Sequence, residues 1–242
     1  MPNKKEILPE ISILIPTYNR SKFLKLCLMN LKNQIYPHEL LTVIIDDDGS
    51  EKFIKDNEME NIKNFIHPIK LKYLYYDKKR SIGAKRNNLV KQANTKIVSF
   101  FDDDDVYLPT AITHTYETMI KNKKSCAGSD KMIFCMTDKD FSVHMIDCGN
   151  TVKLIHEGGC LMFTKKFFRA SCGFENSSQG EGKNLFFGME NCCAITDITK
   201  VMLCIQHSGN TVPKLQFYKD NNKLNIELSE EMKNLLKEIL EI

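Results

Sequence analysis

No C-x-x-C pair occurs in these 242 residues, although there are nine cysteines: Cys27, Cys126, Cys135, Cys148, Cys160, Cys172, Cys192, Cys193 and Cys204. An odd count without paired spacing argues against a structural zinc site. Most of these cysteines sit among apolar residues, where a free thiol behaves as a small hydrophobe, so a reducing compartment, the cytoplasm, is expected. No apolar run approaches the ~20 residues of a spanning helix, and "MPNKKEILPEISILIP" lacks the apolar stretch of a secretion signal. A soluble protein without a membrane span is expected. No charge of one sign dominates. The formal net charge is +3, and the basic residues are scattered through "PNKKE", "YDKKRS", "KNKKS" and "FTKKFF" rather than gathered in a block. That argues against a nucleic-acid partner. No fixed-period repeat is visible, which excludes a solenoid.

What is present suits a globular chain with a sizeable core, being 42% hydrophobic and 27% charged. "ISILIP", "LLTVIIDDDGS", "IKLKYLYY" and "KIVSFF" read as strands. Between them, "SKFLKLCLMNLKNQIY" reads as a helix with Ser21 as its N-cap, "EKFIKDNEMENIKNFI" as a second helix, and "SIGAKRNNLVKQAN" as a third. This alternation predicts βαβ units and a mostly parallel sheet. After Pro109 the pattern changes. A helix over "TAITHTYETMIKN" precedes more antiparallel segments, "GGCLMFTKKFF" reads as a strand entering a short helix, and "VMLCIQHSGNTVP" as a strand ending in a polar turn. The last helix, "LSEEMKNLLKEILEI", has Ser229 as N-cap and acids in its first turn, where the helix dipole favours them; it reads as a packing or oligomer face.

Three of the strands run into polar or acidic clusters: "IPTYNR", "IIDDDGS" and "FFDDDD". In open α/β sheets ligands bind at the carboxyl ends of strands, so these clusters are expected to converge. In extended chain Asp102 and Asp104 point to one side, an arrangement that suits a hard divalent cation. The competing reading of the same residues is a solvated loop that caps the next helix. Asp46, Asp47 and Asp48 offer carboxylates to a nucleobase N–H or to ribose hydroxyls, with Gly49 allowing a tight turn; the competing reading is an Asx-capped turn. His207, among polar turn residues at a strand end, is a metal-ligand candidate or a hydrogen-bonded loop histidine. His38, His67, His114, His144 and His156 read as structural.

The ordered segments "ISILIPTYNR", "VIIDDDGS" and "SIGAKRNNLVKQANTKIVSFFDDDDVYLP" resemble family 2 glycosyltransferases of the GT-A fold. The resemblance is close from the N-terminal strand to Pro109 and looser beyond. It implies an α/β/α sandwich around a mostly parallel central sheet with a small antiparallel part. Residues 1–242 would form one domain, with a nucleotide-binding half at 9–108, an acceptor and metal half at 109–225, and a C-terminal helix at 226–242. It implies transfer of a sugar from a nucleotide-sugar donor, UDP-hexose favoured, to a hydroxyl of a glycan, lipid or protein, with a second copy of the chain as a further partner. On that reading Pro16, Tyr18 and Arg20 line the nucleotide pocket and Asp47 or Asp48 contacts base or ribose. Arg86 faces the nucleotide from the G-x-x-R-N position, with Asn87 beside it. The "DDDD" run carries the D-x-D element, with Asp102 near the ribose, Asp103 a bystander, and Asp104 and Asp105 holding Mn2+ or Mg2+. "IQHSGNTV" places His207 on the same metal, which bridges the diphosphate and neutralises the leaving group.

"GFENSSQGEGKNLFFG" resembles the family's acceptor-side motif, in which an acidic pair supplies the catalytic base of inverting enzymes. Glu181 keeps the glutamate and Leu185 the apolar position, but Gly182 stands where an aspartate is expected. Glu175 and Glu190 are the alternative bases, and a chain that binds donor without turnover is the alternative function. "GGCLMF", Gly158 to Phe163, matches the strand that leads into this motif, its glycines allowing backbone to approach a donor sugar. A sugar-nucleotide nucleotidyltransferase would carry a Gly-rich loop after its first strand, whereas "IPTYNRSKF" has no glycine.

Overall fold

The computed structural model describes residues 7–147, 159–210 and 220–242. Cys148, His156, Gly158, Thr211 and Val212 lie outside the described residues. The first βα units are β1 (Ile11–Thr17), α1 (Leu24–Lys32), β2 (Leu41–Asp47), α2 (Met59–Ile66), β3 (Lys70–Tyr75), α3 (Ile82–Gln92) and β4 (Ile97–Phe100). A two-residue β5 (Val106–Tyr107) and α4 (Ala111–Lys121) follow. Next come β6 (Cys126–Gly128), β7 (Lys131–Met136), β8 (Ser142–Asp147), β9 (Met162–Thr164), α5 (Lys165–Ala170) and α6 (Lys183–Phe186). The chain closes with β10 (Cys193–Ile195), β11 (Met202–Ile205), β12 (Lys223–Leu224) and α7 (Glu230–Leu240).

The main sheet has seven strands in the order β10-β6-β9-β4-β1-β2-β3. β3, β2, β1 and β4 pair in parallel, β9 is antiparallel to both β4 and β6, and β10 is parallel to β6. Every strand of this sheet except β9 therefore ends at one edge. The alternation of side chains divides each central strand between two faces. Ile11, Ile13 and Ile15 of β1 pack on one side with Leu26 and Leu31 of α1 and Ile62 of α2, while Leu14 packs on the other with Leu89 of α3, Val98 and Phe100. Burial on both faces is why β1 and β2 read as nearly continuous apolar runs. A second sheet, β12-β8-β7-β11-β5, is mostly antiparallel. β5 ties the two sheets together, and the Tyr107 ring stacks on Phe101 with centroids 3.6 Å apart.

Ser81 and Ser229 cap α3 and α7, accepting from the backbone N–H of Ala84 and Met232 at 3.2 Å. Ser21 does not cap α1: a 3-10 turn at Ser21–Phe23 tightens the entry, and Phe23 takes the N-cap position without a side-chain bond. The helix expected over residues 51–66 begins only at Met59, because Asp47 captures the backbone N–H of Gly49 and Phe53 and holds the preceding chain as a loop. β6 and β10, three residues each, carry too little sequence for a periodic signal.

Asn30 of α1 fixes the direction of the chain after β4. Its buried amide donates to Asp105 O at 2.7 Å and accepts from Tyr107 N at 2.9 Å. Asn30→Ala leaves two buried backbone groups unpaired and is expected to cost about 2–4 kcal/mol in urea unfolding. A loss below ~0.5 kcal/mol would show that this amide does not hold the segment.

Candidate active site

A cleft of about 510 Å3 opens at the carboxyl edge of the main sheet. Its walls include Pro16, Tyr18, Arg20, Arg86, Asp102, Asp104, Asp105 and Glu181, so eight side chains singled out from the sequence meet there. Register explains the convergence. Pro16 and Thr17 align with Asp46 and Asp47, and Leu14 aligns with Phe100, so the ends of β1, β2 and β4 are level.

The aspartates of "IIDDDGS" do not line this cleft. Asp47 is fully buried, with Oδ1 accepting from Gly49 N at 2.9 Å and Oδ2 from Phe53 N at 2.7 Å and from the Tyr73 hydroxyl. Asp48 accepts from Lys85 Nζ at 2.8 Å and from Arg80 N at 2.6 Å. Asp46 holds the Arg80 guanidinium and Asn88, and burial pushes its carboxyl up against the opposing pull of Asn88, Arg80 and Lys85. Asp47 and Asp48, where a base or ribose contact is expected, accept here from the protein's own donors. These oxygens are occupied by the protein, because carboxylates this deep need internal donors.

The "DDDD" run divides differently from the expectation. Asp103, the expected bystander, accepts from the Thr17 hydroxyl and from Arg20 at 3.0 Å. Burial and the neighbouring Asp104 raise its carboxyl to about 7, against the pull of Arg20 and Thr17. Asp104 Oδ2 lies 2.9 Å from His207 Nε2 and also meets the Arg20 guanidinium; against the effect of burial, the hydrogen bond with His207 and the charge of Arg20 hold its carboxyl below the usual range. Asp105 reaches the cleft, but its Oδ1 accepts from Ile205 N at 2.9 Å, which anchors β11. Asp104 is in contact with His207, while Asp105, also at the cleft, anchors β11. Asp102 is the open member, its side chain 28% exposed against 3% for Asp103.

Arg86 bridges the two sides of the cleft. Its Nε lies 3.1 Å from Glu181 Oε1 and its NH2 lies 3.4 Å from Asp102 Oδ1, with the guanidinium over the Phe100 ring at 4.9 Å. Gly83 of the same G-x-x-R-N segment must be glycine: a Cβ there would sit 1.7 Å from Glu175 O, and its N–H donates to Ser177 O at 2.9 Å. This close approach presses the segment bearing Glu181 against α3. Asn87 braces it too, donating to Phe174 O at 2.8 Å and accepting from Phe174 N at 3.0 Å. Glu181 lines the cleft, whereas Glu175 and Glu190 do not. Gly182 is the N-cap of α6 and makes no side-chain cap.

Residues unforeseen in the sequence complete the walls. Lys79, Arg80 and Lys85 add positive charge, and Lys79 Nζ lies 4.1 Å from the Tyr18 ring centroid. They stand in "YDKKRS" and "GAKRN", where composition shows only scattered basic residues. Among the described residues no three His, Cys, Asp or Glu are grouped to hold a metal ion. The chemistry of the Asp104 carboxylate and the His207 imidazole, in contact beside the cleft, nevertheless fits Mn2+ or Mg2+.

The chain belongs to glycosyl transferase family 2, whose model matches residues 12–190. Among curated relatives, the Campylobacter jejuni GalNAc(5)-diNAcBac-PP-undecaprenol beta-1,3-glucosyltransferase is 30% identical over 106 residues, which is 44% of this chain and 33% of that protein. The chain spans less than half the length of the curated relatives it matches. Among solved structures, the Pyrobaculum calidifontis mannosyltransferase PcManGT in complex with GDP-Man and Mn2+ superimposes with a TM-score of 0.61 at 17% identity, covering 86% of this chain and 59% of that one. S. aureus TarS in complex with UDP-GlcNAc gives 0.60 at 17% identity, covering 96% and 71%. The fold is the GT-A α/β fold, as the sequence resemblance implied. No helix of the described residues is long and apolar enough to cross a membrane.

Replacing Asp47 by alanine strips partners from two buried N–H groups and one hydroxyl. Urea unfolding of Asp47→Ala should show a loss of about 3 kcal/mol or more. A variant of near wild-type stability that bound nucleotide tenfold more weakly would instead make Asp47 a ligand contact.

Proposed function

We propose that this chain is an inverting, metal-dependent glycosyltransferase domain that moves a hexose from a UDP-sugar to an acceptor hydroxyl. The observation that carries this reading is a single cleft in which Arg86 joins Asp102 to Glu181 while Asp104 meets His207. Residues 9–108 would supply most of the nucleotide side and 109–225 the acceptor side. Pro16 and Tyr18 flank the nucleotide, and Lys79 and Arg80 face its phosphates. Asp104 and His207 would hold Mn2+ or Mg2+, which supplies charge neutralisation as the nucleoside diphosphate leaves. Glu181 accepts the proton of the acceptor hydroxyl as that oxygen attacks the anomeric carbon, and Arg86 holds the carboxylate in place.

The name of the C. jejuni relative favours an acceptor glycan carried on a polyprenyl diphosphate. Buried cysteines outside any disulfide among the described residues, including Cys27, Cys126 and Cys135, support the reducing cytoplasm as the compartment. A second reading, donor binding without turnover, is favoured by Gly182 in place of the acid and by the engagement of Glu181 with Arg86.

A panel of sugar nucleotides with MnCl2, scored for nucleoside diphosphate release, separates the two readings. Turnover is expected with at least one UDP-hexose, abolished by EDTA and lowered ~100-fold or more by Asp104→Ala. Glu181→Gln should lower transfer by a similar factor while UDP still binds, and the product should show inverted anomeric configuration by NMR. Donor bound but never cleaved would establish the second reading, and no donor bound at all would remove both.

A further inference from the structure

Arg20 holds two carboxylates through one nitrogen. Its Nη1 lies 3.0 Å from Asp103 Oδ1 and also meets Asp104 Oδ2, and its Nη2 donates to Gly209 O at 3.0 Å. The contact with Asp104 falls on the same oxygen that lies 2.9 Å from His207 Nε2. One carboxylate oxygen therefore takes a guanidinium and an imidazole together. His207 Nδ1 accepts from Gly209 N at 3.1 Å, so the ring proton sits on Nε2 and is directed at that oxygen. Arg20 is the outermost of the three, its side chain 22% exposed against 8% for Asp104 and 4% for His207.

The backbone fixes Arg20 in this position. Asn19 has a φ of 52°, in the left-handed region that asparagine tolerates, and its Oδ1 accepts from Ser50 N at 2.7 Å. The turn after β1 is thereby pinned to the loop after β2. Phe23 N donates to Arg20 O at 2.9 Å and closes the 3-10 turn, and the Phe23 ring lies 4.9 Å from the His207 ring. The entry to α1 thus grips the loop after β11 twice, by the Phe23 ring and by the hydrogen bond from Arg20 to Gly209.

A divalent cation shared by Asp104 and His207 would need the edge that Arg20 Nη1 and the Nε2 proton fill. Two positive charges repel strongly when they meet at one buried oxygen, so Arg20 and the cation exclude each other there. Arg20 has somewhere to go, because Asp103 accepts from the same nitrogen.

We infer that Arg20 is a resident counter-cation, a positioning residue that neutralises Asp104 until Mn2+ or Mg2+ takes its place and that thereby sets the strength of metal binding. The inference rests on the metal-dependent reading above and adds to it a competitor built into the chain. Only molecules whose guanidinium has left Asp104 can take the metal, so the apparent affinity is lowered by the fraction that keep the pair. Departure of Arg20 also releases Gly209 O, and with it the loop that must re-aim the His207 ring so that a bare nitrogen faces the metal.

The six-line EPR signal of free Mn2+, followed as the full chain is titrated without nucleotide, tests this. Arg20→Met removes the charge and should bind Mn2+ ~10-fold or more tightly than the wild type. Arg20→Lys keeps the charge and should recover most of the wild-type behaviour. Adding Asp104→Asn to Arg20→Met should abolish the gain; a gain that survives it puts the ion elsewhere and overturns the inference. Melting curves separate this role from a structural one. In EDTA Arg20→Met should melt several degrees below the wild type, and MnCl2 should restore much of that loss, because the metal replaces the missing charge. A variant that stays equally destabilised or unfolded in MnCl2 overturns the inference, as does an Mn2+ affinity no higher than that of the wild type. The same titration with UDP present tests the reading beneath. Mn2+ bound by the wild type with UDP, but no gain in Arg20→Met, removes this inference alone. No Mn2+ bound by either chain, with or without UDP, removes the metal-dependent reading as well.

Discussion

Burying a carboxylate without internal partners is costly, and this chain buries a cluster of them at the ends of two strands. Asp46, Asp47, Asp48, Asp103 and Asp104 are each at most 5% exposed. Each has its own compensation: backbone N–H groups and Tyr73 for Asp47, Arg80 and Asn88 for Asp46, Lys85 for Asp48, and Arg20 with Thr17 or His207 for Asp103 and Asp104. Leaving any of these charges unpaired in the interior would cost several kcal/mol. The partners must therefore arrive in register, and that requirement shapes the loops after β1, β2 and β4.

The same requirement sorts the acids by availability. Those whose oxygens take the protein's own donors, such as Asp47 and Asp48, hold the loop after β2 in place. Asp102, beside Gly159 and Arg86, keeps an open face, and Asp104 lines the cleft where its carboxylate meets the His207 imidazole. Arg86 carries the organisation across the cleft. It pairs an acid from the end of β4 with Glu181 from a segment far along the chain, while its guanidinium rests on Phe100. A single cation thus couples the two walls of the cleft, and the close packing at Gly83 keeps them in contact.

The solved structures that superimpose on this chain are only 17% identical to it, so the likeness is one of fold. With every strand of the main sheet but β9 ending on one edge, chemistry placed after any of those strands faces the same opening.

The core strands and their polar ends were legible in the amino-acid sequence, because the signal is local. An apolar run buried on both faces stops where charge begins, and "ISILIP", "TVIID" and "IVSFF" all stop that way. The helix cap at Ser229 was legible for the same reason, whereas Ser21, which looks like a cap in sequence, does not cap α1. The roles of the individual aspartates were not. Asp47 and Asp104 look alike along the chain, but one is tied to its own loop and the other meets His207, 103 residues away. Thr17 reaches Asp103 across 86 residues. Which carboxylate is spent on the fold and which is left for a ligand depends on contacts of that separation, so only the tertiary structure could decide it.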